Sequence, residues 1–220
     1  MSTKEPIKQL IDLYEITYFT MLGVDFLPLI VIILLSLKNR SVILSGIYIT
    51  FFSCAVLVQW MTYYFAINSL SSIWITNLYV FTELLLLYFI YRNRNQVRIF
   101  RRFQFYSMLI FLVLFYTEFS TNKFMQNSYL VSSFFILFWS VYSIIMSLYD
   151  HNLANKISDF DKYFNFGILF YFSVTIIFFI LFDQINSRNY LIWTFHNILE
   201  IFTILILTVA ICTIPSKSIS

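Results

Sequence analysis

Four ionisable side chains of this 220-residue chain stand inside runs of apolar residues: Asp25, Glu83, His196 and Glu200. A charged group at the centre of a membrane helix costs about 2.5–3.5 kcal/mol on insertion scales, so each of them needs a partner or a task. Counted from the polar ends of their runs at about 1.5 Å per residue, all four fall roughly 9–15 Å deep. Gln59 falls in the same layer. In the segment FHNILE, His196 and Glu200 are four residues apart and Asn197 and Glu200 three apart, so one helical face can carry all three. Tyr79 and Glu83 share the four-residue relation, which lets a phenol reach a carboxyl within one helix, and Asn77 precedes them on the same run. The expectation is a ligand- or proton-binding site made of Asp25, Gln59, Asn77, Tyr79, Glu83, His196, Asn197 and Glu200.

Three chemistries are open to such a set. Carboxyls and an imidazole can exchange protons, which suits a proton-coupled carrier or a pH-sensing switch. The same groups can bind a small polar ligand or cation. They could also hold a metal, but catalytic zinc usually takes three protein ligands and often more than one His. His151, the other of the two histidines, lies in a polar loop, so no metal and no other cofactor is expected. A plainer alternative stands beside these: neutral acids hydrogen-bonded to Asn, Gln, Tyr and His tie helices together. Catalytic motifs are missing, with no GxSxG elbow and only three glycines from which to build a phosphate loop. The last apolar run has no lysine, which excludes a retinal Schiff base there.

The elements that must position these residues are membrane helices. Hydrophobic residues make up 60% of the chain and charged ones 11%, against about 45–50% and about 25% in ordinary soluble domains. Runs long enough to span a bilayer cover 17–37, 42–67, 73–91, 103–119, 129–149, 163–182 and 190–213. The fold class expected is an all-α, polytopic bundle of seven transmembrane helices. It occupies 17–213, preceded by an interfacial amphipathic segment, 1–16, and followed by a short cytoplasmic tail, 214–220. Ile7, Leu10, Ile11, Tyr14 and Tyr18 give the first segment its apolar face, and its opening residues do not read as a signal peptide. With 27 Phe and 16 Tyr, large side chains must fill the space between helices. Cys54 and Cys212 fall in apolar runs, and neither a disulfide nor a zinc site is expected of them.

Ten of the 14 basic residues lie on one side of this topology, which makes that side cytoplasmic and leaves the N-terminus outside. Arg92, Arg94, Arg98, Arg101 and Arg102 form a cluster there, suited to contact with anionic lipid headgroups. A net charge of +3 is too small to imply nucleic-acid binding. Glu118 and Asp183 are expected to face water at the outer ends, without a functional role. Pro28 is the one proline that interrupts a span, so a carrier built from several broken helices is poorly supported.

The segments TNLYVFTELLLLYFIYRN at 76–93, FGILFYFSVTIIFF at 166–179 and WTFHNILEIFTILILTVAI at 193–211 resemble a family of uncharacterised bacterial seven-helix membrane proteins. The family's recurring residues match Asn77, Glu83, His196 and Asn197, and the resemblance implies no activity. The helix count and the asparagines of the third and seventh helices are also similar to small sugar carriers of three-plus-one-plus-three type, whose helix prolines, Pro28 aside, are missing here. The first expectation is a sensory or accessory protein of the cell inner membrane, with an outward-facing polar pocket and a cytoplasmic or membrane protein partner. The alternatives are a proton-coupled or small-solute transporter and a metal-dependent membrane hydrolase.

Overall fold

A computed structural model describes residues 4–37, 46–94, 97–119, 123–149, 159–180 and 190–213. Among them are eight helices: α1 (Lys4–Val24), α2 (Leu27–Leu37), α3 (Gly46–Ile67), α4 (Ile73–Arg94), α5 (Arg98–Glu118), α6 (Gln126–Tyr149), α7 (Asp159–Ile180) and α8 (Tyr190–Cys212). The fold is all-α. Six stretches are long and apolar enough to cross a membrane, the first of them, Gln9–Leu35, running through α1 and α2, and the others lying in α3, α4, α5, α6 and α8. Helix α7 carries the apolar run 163–182, of which 181 and 182 lie outside the described residues. The surface agrees with a bilayer setting: Ile16, Ile33, Leu57, Val113, Ile177, Leu191 and Phe195 are each more than half exposed. Apolar area of that extent is unfavourable in water and favourable against lipid chains. The protein is a multi-pass membrane protein.

Helix α1 runs without interruption past residue 16, where the sequence places the end of the surface segment. The break comes instead at Asp25 and Phe26. Pro28 explains it, because it has no N–H to give the Val24 carbonyl and its ring crowds that carbonyl. The chain turns with Phe26 N–H on the Gly23 carbonyl at 3.4 Å and resumes with Ile30 N–H on the Phe26 carbonyl at 2.9 Å.

The helices close a circuit: α1 and α2 pack on α8 and α3, α3 on α4, α4 on α6, α6 on α7, and α7 on α8, while α5 lies against α4 and α6. Large rings fill the end of the bundle that carries Arg92 and Arg98. There Tyr48 meets Phe160 and Phe164 edge-on at 5.1 and 5.3 Å, and Phe51, Phe52, Trp139 and Phe172 are buried beside them. One glycine departs from this bulky packing. A Cβ on Gly167 would come within 2.8 Å of Leu207 Cδ2, so its absence lets α7 and α8 approach closely. At the opposite end, α3 finishes on a tight turn in which Leu70 N–H reaches the Phe65 carbonyl and Ser69 N–H the Ala66 carbonyl.

Candidate functional site

The polar residues gather in the half of the bundle away from the aromatic-filled end. On α3, Gln59 donates from Nε2 to Glu200 Oε1 on α8 at 2.7 Å. One turn before Glu200, His196 Nδ1 stands 3.8 Å from Glu200 Oε2, as the four-residue spacing requires. The imidazole is held by rings, with Phe178 of α7 at 4.6 Å and Trp193 at 6.4 Å. Asp25, at the break between α1 and α2, is buried, and its Oδ2 has no hydrogen-bond partner among the described residues. The Glu200 carboxyl lies within electrostatic reach of both Asp25 and Glu83.

Glu83 belongs to a second arm of the same site. The Tyr79 hydroxyl hydrogen-bonds to its carboxyl, as their spacing along α4 anticipates. The phenols of Tyr129 on α6 and Tyr171 on α7 are hydrogen-bonded to each other and lie within electrostatic reach of Glu83 and Glu200. Three acids, one imidazole, one amide and several phenols, from five helices and the break between α1 and α2, therefore share one region. An acid buried without a hydrogen bond or counter-charge is expensive, and phenols and amides are neutral groups that lower that cost.

Between α7 and α8 a crevice reaches His196 and Glu200. It is about 200 Å³ including the open space at its mouth and is lined by Tyr171, Val174, Thr175, Leu199 and Thr203, among others. Tyr14 and Tyr18 on α1, Tyr63 on α3 and Tyr190 on α8 form a chain of ring contacts at 5.8–6.0 Å beside the site. The Tyr18 phenol lies within electrostatic reach of Asp25 and Glu200.

Not every residue expected in the site joins it. The Asn77 side chain is spent on the backbone, with Nδ2 donating to the Lys123 carbonyl at 2.9 Å and Oδ1 accepting from Met125 N–H at 3.2 Å. It ties α4 to the segment that leads into α6. Asn197 points to α1, where Nδ2 meets Thr17 Oγ1 at 3.4 Å, and that hydroxyl in turn donates to the Tyr14 carbonyl at 2.9 Å. Glu118, expected to face water, receives four hydrogen bonds from the backbone and side chains of Asn127 and Ser128 and so caps α6. Asp183 and His151 lie outside the described residues.

In the arginine cluster, Arg92 donates to the Tyr88 hydroxyl, and its guanidinium sits 5.5 Å from that ring's centroid. Arg98, Arg101 and Arg102 are exposed at the start of α5, and the Arg94 side chain is outside the described part. Among the described residues no group of three or more His, Cys, Asp and Glu side chains is arranged to hold a metal ion, and Cys54 and Cys212 are free thiols.

Tyr129 and Tyr171 escaped the sequence reading. With 16 tyrosines in the chain, neither spacing nor composition separates a phenol aimed at a carboxyl from one at a membrane interface. Comparison with family models, curated proteins and solved structures gives no match. That agrees with a resemblance to an uncharacterised family and assigns no chemistry.

Proposed function

We propose that this is a seven-span protein of the bacterial inner membrane, with the arginine end in the cytoplasm, that takes up a proton or small cation in a pocket open to the outside. Its role is sensory or accessory. The observation that carries the reading is the meeting of Gln59, Glu200 and His196 with Asp25 and Glu83 in one region, away from the end that carries the arginines and is filled by buried rings. A pocket reachable from one side reports a condition on that side, and a protein partner would carry the signal onward. The exposed Arg98, Arg101 and Arg102 at the N-terminal end of α5 oppose the helix dipole, which favours anionic lipid headgroups against them.

A second reading, a proton-coupled or small-solute carrier, is favoured by the break at Asp25 and Phe26. Interrupted helices with a polar side chain at the gap are how many carriers bind their cargo. Both readings can be tested in oriented proteoliposomes, with Trp193 beside His196 as the fluorescent reporter. We expect Trp193 fluorescence to titrate when pH is changed outside and to stay constant when it is changed only inside, with no net proton flux. Glu83→Gln and His196→Ala/Glu200→Gln should flatten or displace the titration. Flux that disappears in those variants establishes the carrier instead. A folded wild type showing neither response leaves the cluster as a structural tie between helices.

A further inference from the structure

A second buried polar layer lies nearer the arginine end and shares no residue with the carboxylate site. Gln104 on α5 is 0% exposed, and neither its nitrogen nor its oxygen has a hydrogen-bond partner among the described residues. The same holds for Trp139 Nε1 and Ser143 Oγ on α6 and for Asn165 Oδ1 on α7. Helix register brings these groups to one level. The Trp139 ring touches Tyr88 and Tyr91 of α4 at 6.1 and 6.2 Å. Ser140, next to Trp139, donates to the Asn165 carbonyl at 2.9 Å. On α5, Phe100 stacks on Tyr142 at 3.7 Å and Phe103 packs on Phe138 at 4.8 Å, which sets the adjacent Gln104 at the height of Trp139.

The chemistry of the set defines its guest. Gln104 offers both a donor and an acceptor, Trp139 a donor, Ser143 either, and Asn165 an acceptor. None of the four carries charge, so nothing here selects an ion. Buried polar groups left without protein partners are characteristically bridged by ordered water, whereas closed cavities that remain dry are apolar. We propose that this layer is an internal water site, in which ordered water molecules bridge Gln104, Trp139, Ser143 and Asn165 between α5, α6 and α7. Leu84 and Leu87, both 0% exposed, stand on α4 between Glu83 of the carboxylate site and Tyr88, which packs on Trp139.

X-ray hydroxyl-radical footprinting of the full-length protein in lipid nanodiscs tests the proposal, because radicals formed from a bound water label the side chain it touches. Trp139 should be modified in spite of its burial. In Gln104→Leu that modification should fall several-fold, while modification of Trp60, which is 42% exposed, stays the same. Ser143→Ala removes a single hydroxyl and repeats the test with little risk to folding. An unmodified Trp139 in wild type, or modification unchanged in both variants, overturns the proposal.

Discussion

The two buried polar layers sit in the same bundle but solve opposite problems. The layer around Glu200 holds acids and lies beside a crevice between α7 and α8, whereas the layer around Gln104 holds only neutral groups, on helices whose Phe100 and Phe164 are also buried. A carboxyl in a low-dielectric interior must exchange a proton or find a counter-charge, so its layer needs access to solvent. Amides, an indole and a hydroxyl need only hydrogen bonds, which a few trapped waters supply, so their layer can be sealed. On the function proposed above, access goes to the layer whose chemistry requires it. Between the two on α4 stand the wholly buried Leu84 and Leu87.

Removing that bulk is the strongest way to break the contrast. Leu87→Ala should cost about 2–5 kcal/mol, since the side chain is wholly buried in the core. It should also join the two layers, seen as a rise in hydroxyl-radical modification of Trp139 in nanodiscs. Lost stability without that rise would mean that a further barrier separates them.

Exchanging the character of the layers is the next largest perturbation. Gln104→Glu places an acid in the sealed layer with no crevice to serve it, and insertion scales put the cost at about 3 kcal/mol. The unfolding temperature in detergent should drop accordingly, whereas Glu200→Gln, which removes an acid from the open layer, should leave it within a few degrees of wild type. Equal drops for the two would show that the layers are equally accessible.

How far this arrangement could be read from the sequence depends on the type of signal. The apolar runs became helices because chain length, apolar content and the need to satisfy backbone hydrogen bonds in lipid leave little alternative. Glu83 with Tyr79 and His196 with Glu200 were legible because each pair is separated by one turn of a single helix. Gln59 was placed at the right depth, but its hydrogen bond to Glu200 crosses from α3 to α8 and no local spacing encodes it. Asn77 was grouped with the site by depth, yet both ends of its amide anchor the segment from Lys123 to Met125, a choice made by a loop far along the chain. The break at Asp25 was signalled by Pro28 alone. Its value lies in putting a carboxyl at an interrupted turn beside Glu200, which only the packing of α1 and α2 on α8 determines.

The smallest predicted effect provides the control for the others. Ser69 ends α3 with a φ of 55°, a left-handed conformation that an L-residue other than glycine adopts at a cost of about 1 kcal/mol. The turn needs that conformation, because it aims Ser69 N–H at the Ala66 carbonyl and Leu70 N–H at the Phe65 carbonyl, closing the helix end. Ser69→Gly keeps the turn and removes the strain, offset in part by the greater freedom of glycine in the unfolded chain. The unfolding temperature should rise slightly while the Trp193 titration and the Trp139 footprint stay as in wild type. If the same change displaced either readout, that layer would be responding to stability in general, and the separation of an open acidic layer from a sealed neutral one would lose its support.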